Sequence, residues 1–390
     1  MSHEKPLLIS RIIYKNDFNI ALAVFKFKKY RIYNGLYKYH CGISVLKQKV
    51  IRQSNINHII DETQKKEEEK QQAYILVDKD MLNLIPVDKR ILNLATKVDF
   101  KVFAEDEKTH MSLFLQADSV IDKEKKSKLK YAEKIYALES EKDKYDNFLE
   151  NHLQSILRDN SLSLDEKTDI IYAASSDLTH KLYANPDALE NATLSENIVK
   201  PMLDTIIHNE NTISSYLKII EYDYYTHTHS LNVSVYALCL GNELNLDEEK
   251  LTSLGRAALL HDIGKSKIDP KIVNKQGKLT QEEFEMMKNH PTYGYEIANS
   301  YKIEDKNILE GIYQHHEKLD GNGYPNKLSD KEIGLFPKII SVCDIFDALT
   351  TRRSYKSAMK SFEALTLMKT TMNSHLDASI LNTFIKMLHK

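Results

Sequence analysis

The feature that most constrains this chain is a trail of imidazoles that ends in a carboxylate: His229, His261-Asp262, His290, His315-His316 and Asp344. All are metal-ligand residue types, and none is a cysteine. A fold that puts them to common use has to draw distant points of the chain to one place. Imidazole with carboxylate suits borderline-hard divalent ions such as Fe, Mn, Ni or Zn. His261 and Asp262 are adjacent near the end of a predicted helix, so they project about 100° apart. One can bind a metal through nitrogen while the carboxylate bridges to a neighbour. Two such metals clamp an in-line displacement at phosphorus, and the nucleophile this pattern predicts is a hydroxide bridging them. Asp262 and Asp344 offset only part of the metals' positive charge, and the remainder favours an anionic phosphodiester.

The neighbours of the trail fit that chemistry. Lys265 follows Asp262 by three residues, about one turn if the helix continues, and its ammonium can neutralise a phosphate oxygen. Gly264 lets the backbone turn and keeps a close approach clear. Asp262 and Lys265 are therefore the candidate catalytic residues. Arg353 and Lys356, about one turn apart, suit the far phosphate of a substrate with two. Any one of these histidines alone would more often be an ordinary core or surface residue; their joint occurrence is what makes the pattern specific. His227, two residues from His229, falls on the opposite side of the same helix and is read as a non-ligand. Asp347, one turn beyond Asp344, is read as capping or salt bridging. His208, His375 and His389 are expected at the surface, and His40-Cys41 lacks partners for a site.

With 390 residues the chain has room for two or three domains. No apolar run approaches the roughly 20 residues that span a bilayer, and the N-terminal run 20–27 is broken by Lys26. The layout of a signal peptide is absent, so a cytoplasmic protein is expected. Cys41, Cys239 and Cys343 form no disulfide or zinc-finger pattern. A net charge of −2 gives no electrostatic case for binding a nucleic-acid polymer.

The fold expected is multidomain: a small α+β N-terminal region followed by an all-α bundle. Residues 1–72 mix short β-type runs with a charged linker at 65–70. Residues 73–155 form a small α+β module, with an alternating strand at 98–103 and helices near 121–131 and 143–157. Connecting helices fill 156–200, the first opened by the capping box Ser163-Leu164-Asp165-Glu166 and ending before Asn185-Pro186. A second is expected at 195–209. Residues 201–390 form the helical catalytic domain, with helices near 222–243, 247–261, 281–290, 292–300, 306–316, 336–350 and 361–371. Thr280 and Glu283 make another capping box. No strand pattern follows residue 160.

These motifs resemble the HD-GYP family of cyclic dinucleotide phosphodiesterases, a branch of the HD metal-dependent phosphohydrolases. The matching run is His261-Asp262-Ile263-Gly264-Lys265, then Lys275 and Leu279, His290-Pro291 with Gly294, and His315-His316-Glu317 leading to Asp320-Gly321 and Gly323-Tyr324-Pro325. It closes with Asp344, Asp347-Ala348-Leu349-Thr350, Arg353, Tyr355 and Lys356. Upstream, Tyr225-Thr226 and His229-Ser230 match the family's first ligand helix. The resemblance covers about residues 200–370. It implies His229, His261, Asp262, His290, His315, His316 and Asp344 as metal ligands, with Lys265, Arg353 and Lys356 on the substrate phosphates and Tyr324 shaping the pocket. It further implies hydrolysis of cyclic di-GMP to pGpG and then GMP, or of cyclic GMP-AMP in some members.

Two departures stand out. Members that hold three metals carry a glutamate four residues before the first histidine. Here that residue is Tyr225, a poor ligand at neutral pH because a phenol's pKa is near 10, so two metals, Fe or Mn, are expected. Ser354 replaces the family's proline between Arg353 and Tyr355 without removing a reactive group. The rival reading is a signalling adaptor that binds cyclic dinucleotide without turnover. The N-terminal region is expected to regulate or dimerise, through a homodimer contact or a protein partner.

Overall fold

The computed structural model describes residues 83–389 apart from 93–96, 106–110, 161, 210–211, 221–225 and 352–357; before residue 83 it describes only the strand backbones at 7–8, 11–14, 21–22, 37–38, 44–45, 50–51 and 73–77. The expectations for the charged run 65–70, His40-Cys41, Tyr225, Arg353 and Lys356 lie outside the described residues. The chain divides into two compact units, residues 1–148 and 149–390.

The first unit is built on a seven-stranded antiparallel sheet. Its order is Ala21–Leu22, Arg11–Tyr14, Ala73–Val77, Met111–Leu115, Val102–Glu105, Lys134–Leu138, Leu84–Val87. This sheet takes strands from both sides of residue 72, so the division expected there does not separate two sheets. Phe103, Met111, Tyr136 and Leu138 form a buried cluster on it. The strand expected over 98–103 is two strands in different sheets: Lys97–Val98 pairs with Ser119–Val120, and Val102–Glu105 joins the large sheet. Between them Phe100 turns inward against Tyr145 and Phe148, ring centroids 5.4 and 5.5 Å away, and the Lys101 amide donates to Glu141 Oε2 at 2.9 Å. Burying that ring outweighs continuing the alternation. Two helices flank the strands, α1 (Lys123–Leu129) and α2 (Lys142–Arg158).

The second unit is helical: α3 (Leu164–Ala184), α4 (Asn191–His208), α5 (Thr212–Ile219), α6 (Thr226–Glu243), α7 (Glu248–Leu260), α8 (Pro270–Val273), α9 (Gln281–Met287), α10 (His290–Ser300), α11 (Lys306–Gln314), α12 (Leu335–Thr350), α13 (Ser361–Thr371) and α14 (Ala378–Leu388). Among the described residues after 160 there is no strand, only an isolated bridge between Asp320 and Ser329. The capping boxes at Ser163 and Thr280 are both formed. α6 carries no charged residue between Thr226 and Asn242, and its residues from Thr228 to Gly241 are all buried. A helix without a polar face belongs in the middle of a bundle, and α6 is the axis around which α3, α7, α12 and α14 are arranged.

The helix expected over 281–290 stops at Met287, and His290 opens the next helix instead of closing this one. Pro291 is the cause: it has no N–H to donate and is tolerated only in a first turn. α14 was not expected. Asp377 caps it, accepting from the Ser379 and Ile380 amides, and Phe384 packs edge-on to Phe346 with centroids 5.0 Å apart.

Candidate metal centre and cleft

The predicted ligand residues sit where helices end, apart from two on long buried helices. His229 lies in the first turn of α6 and Asp344 in α12. His261 caps α7 and Asp262 follows at φ −98°, ψ 3°. His290 begins α10, and His315 caps α11 with His316 next to it. At helix ends the chain changes direction, so consecutive residues such as His261-Asp262 and His315-His316 can face one point.

The seven residues read from the sequence come together. Ligand atoms of Asp262, His290, His315 and His316 lie within 4.8 Å of one another, as do those of His229, His261 and Asp262. Asp262 belongs to both groups. Asp344 stands beside both, with Oδ1 3.1 Å from His229 Nε2 and Oδ2 4.0 Å from His316 Nδ1. Lys265 is on the turn Ile263–Lys267, tighter than the helical continuation expected, and its Nζ sits 2.5 Å from Asp262 Oδ2. Gly264 makes that turn fit: a Cβ there would fall 2.0 Å from the His290 carbonyl oxygen and 2.4 Å from the Gly294 amide. The close approach it permits is to α10.

Hydrogen bonds at Nδ1 orient four of the five imidazoles. Nδ1 of His261, His290 and His315 meets the backbone carbonyl three residues earlier, Ala258, Met287 and Ile312, at 2.7, 2.8 and 2.7 Å. Nδ1 of His229 meets Asp347 Oδ2 at 2.6 Å. In the neutral rings Nδ1 holds the proton and Nε2 presents a lone pair inward. Those lone pairs face one another: His290 Nε2 is 3.2 Å from His315 Nε2 and 3.3 Å from Asp262 Oδ1. Among the described residues, His261 Nε2 and Asp262 Oδ1 are buried without a hydrogen-bond partner. Converging buried acceptors repel unless a cation lies among them, so the donor set fits divalent metal.

Charge states agree. Burial pushes His290 down to about 3 and His316 to about 4, and it holds His315 well below the usual imidazole range. Burial opposes ionisation of Asp262 and Asp344, but the Lys265 ammonium and the histidines around Asp262, and His229 beside Asp344, outweigh it and hold both carboxyls well below the usual range. His290, His315 and His316 are thus neutral at neutral pH, the form in which an imidazole can bind metal. A stability consequence follows with a definite sign. Unfolded histidines take up protons below about 6.5 whereas His290 and His316 do not until far lower, so metal-free protein should lose stability on the order of several kcal/mol as pH falls from 6.5 toward 4. Urea unfolding across that range checks it; a midpoint that rises on acidification would contradict it.

Several functional residues escaped the sequence reading. Asp347 is fully buried, accepts from His229 and accepts from Asn232 Nδ2 at 3.0 Å. Of the two roles expected of it, capping or salt bridging, it takes the second, and its partner His229 is one of the predicted ligands. Asn232 in turn accepts from the Tyr172 hydroxyl on α3 at 2.6 Å. Tyr183, also on α3, touches both ligand helices: its hydroxyl is 2.7 Å from Ser230 Oγ and donates to the Leu259 carbonyl at 3.1 Å. Glu317 holds the Gly-Tyr-Pro loop, accepting from the Asn326 and Leu328 amides at 2.6 and 2.9 Å. Gly323 lets that loop lie against it, since a Cβ would be 2.4 Å from Glu317 Cα. The spacing of Asp347 from Asp344 was the one available signal. Asp347→Asn should weaken metal binding about 10- to 100-fold, the usual cost of losing a carboxylate behind a ligand histidine; calorimetric titration with Mn(II) measures it, and unchanged affinity would remove Asp347 from the site.

The cluster opens into a cleft of about 710 Å³, lined in part by Lys265, His290, His316 and Tyr324. That volume suits a small organic ligand. The Tyr324 ring lies 4.7 Å from that of His316, and burial pushes its phenol far up, so it stays a neutral hydroxyl. His227, half-buried, is no part of either ligand group but lines the same cleft. His208 and His389 are exposed, and His375 is partly covered near Asp320.

Residues 202–380 match the HD domain family. A Pseudomonas aeruginosa protein named cyclic di-GMP phosphodiesterase PA4108 is 32% identical over 199 residues, 51% of this chain and 48% of that protein. The Vibrio cholerae 3'3'-cGAMP-specific phosphodiesterase 3 is 39% identical over 154 residues, 39% of this chain and 33% of that one. The chain thus spans half or less of the length of these relatives. Among solved structures, Bd1817, an HDG"Y"P protein from Bdellovibrio bacteriovorus, aligns with a TM-score of 0.60 at 20% identity, covering 79% of this chain and all of that one. The shared fold therefore reaches beyond the helical unit. Residues 202–380 are an HD domain. Within that stretch, the motifs from His261 to Pro325 lie in the part of the chain that is similar to these phosphodiesterases.

Proposed function

We propose that this protein is a metal-dependent phosphodiesterase that hydrolyses cyclic di-GMP to pGpG, GMP or both. The observation that carries the reading is Asp262 shared between two groups of inward-facing imidazoles at one end of a cleft of about 710 Å³. His229, His261 and Asp262 would hold one divalent ion and Asp262, His290, His315 and His316 the other, with Asp344 serving both. Bound there, the ions would supply Lewis acidity to the phosphodiester and a water nucleophile at neutral pH. Lys265 would neutralise a non-bridging phosphate oxygen, exchanging part of its contact with Asp262 for the substrate. Neutral Tyr324 would bound the cleft and offer a hydroxyl proton. Arg353 and Lys356 would take the second phosphate. Two ions are proposed because Tyr225 stands where a third would need a carboxylate, and Fe or Mn because both accept imidazole with carboxylate. The N-terminal unit would regulate or dimerise the enzyme, and no described helix is long and apolar enough to cross a membrane, in keeping with a cytoplasmic protein.

Cyclic GMP-AMP is the second reading, supported by the 39% identity to a phosphodiesterase named for it. Metal analysis with initial rates on cyclic di-GMP, cyclic GMP-AMP and a mononucleotide separates these. Two ions per chain and preference for cyclic di-GMP are expected. Substrate bound to the loaded protein but never cleaved would favour an adaptor.

A further inference from the structure

The cleft has a second wall that the metal ligands do not account for. His180, near the C-terminal end of α3, is exposed, and its ring stands edge-to-face to that of His227 on α6, with centroids 5.0 Å apart and planes at 78°. Both rings line the same cleft as Lys265 and Tyr324. α3 lies outside the 202–380 stretch that matches the HD domain family, so one side of the cleft comes from beyond that domain. It is also anchored to the site, through Tyr172 to Asn232 and Tyr183 to Ser230.

The chemistry of this wall is that of a site for a flat heteroaromatic group. Ala184, Ile268, Ile272 and Met287 line the cleft with apolar surface, and Asn274 adds an amide. Lys275, the other cleft lysine, is paired with Glu283 at 2.5 Å. Apolar surface with a few hydrogen-bonding tips suits a purine, whose faces are apolar and whose edge is polar; unstacked bases are held by ring contacts and edge hydrogen bonds. A phosphate would instead draw on the cations at the cluster.

We propose that His180 and His227 form the base-recognition wall of the cleft, holding one purine of a cyclic dinucleotide by ring contact and a hydrogen bond to its edge. The proposal rests on the phosphodiesterase reading and adds to it a specificity element drawn from α3. The full-length chain loaded with Mn(II) is assayed as wild type, His180→Ala and His227→Ala. The substrates are cyclic di-GMP, cyclic GMP-AMP and bis(p-nitrophenyl) phosphate, a diester without a purine. His180 is exposed and on a different helix from any ligand, so its variant guards against a folding defect at His227. In each variant, kcat/KM for the cyclic dinucleotide relative to that for the purine-free diester should fall about tenfold, carried by KM, the size of one lost base–ring contact. If the wild type cleaves a cyclic dinucleotide but the ratio moves less than about twofold in His180→Ala, the wall is overturned and the phosphodiesterase reading stands. If the wild type cleaves only the purine-free diester, both fall.

Discussion

Replacing Asp262 by alanine should abolish metal binding and turnover together. Among the described residues, Asp262 alone is counted in both clustered groups, and Asp344 stands at their edge, 4.0 Å from His316. The variant leaves His261 Nε2 and His290 Nε2 facing each other's surroundings without the anion between them, in a pocket where Asp262 is 1% exposed. Loss of paired metals forfeits several kcal/mol of transition-state stabilisation, so kcat/KM should drop by a factor on the order of a thousand or more. Metal content by atomic absorption, read beside the rate, makes the test specific: unchanged activity, or lost activity with metals retained, would overturn the shared-carboxylate arrangement.

Lys265→Ala should behave differently. The ammonium is 18% exposed and lies at the boundary between Asp262 and the cleft. It is not a metal-ligand type, so the metals should stay. What is lost is a fixed positive charge where negative charge grows on phosphorus, and kcat should fall about 10²- to 10³-fold, the range seen when one preorganised oxyanion donor is removed. Lys265→Arg should recover little of this, because a planar guanidinium on a longer stem does not reproduce the point contact that the ammonium makes with Asp262 Oδ2 at 2.5 Å. Metal loss in the alanine variant would instead make Lys265 a structural partner of Asp262.

The contrast between the two variants reflects what could be read from the chain itself. Ligands advertise themselves: His261-Asp262 and His315-His316 are adjacent in sequence, and the helix ends that carry them are marked by Pro291, Gly264 and the capping residues. The all-α second unit was legible from apolar periodicity and two capping boxes. The groups behind the ligands were not. Asp347 reaches His229 only because α12 crosses α6 at one register, and register between distant helices leaves no local trace. Tyr183 and His180 carry no motif; their roles depend on where α3 docks. Glu317 was visible within His315-His316-Glu317, yet its partners, the amides of Asn326 and Leu328, are set by the path of a loop. The strand at 98–103 was misjudged because alternation cannot tell that Phe100 leaves the sheet for Tyr145 and Phe148.

The order in which these layers act is physical. Helix ends bring four histidines and Asp262 close, two long buried helices add His229 and Asp344, backbone carbonyls and Asp347 orient the rings, and burial keeps His290, His315 and His316 neutral. Only then does the cleft above them have anything to act with. α3 ties into this network twice, so the segment upstream of residues 202–380 is part of the framework of the cluster.

The most direct test of the central claim is anaerobic reconstitution of the full chain with Fe(II) or Mn(II), incubation with cyclic di-GMP, and chromatography of the products. Linear pGpG or GMP, formed by the wild type and absent with Asp262→Ala, is the result predicted. Two bound metals with cyclic di-GMP left intact would contradict it.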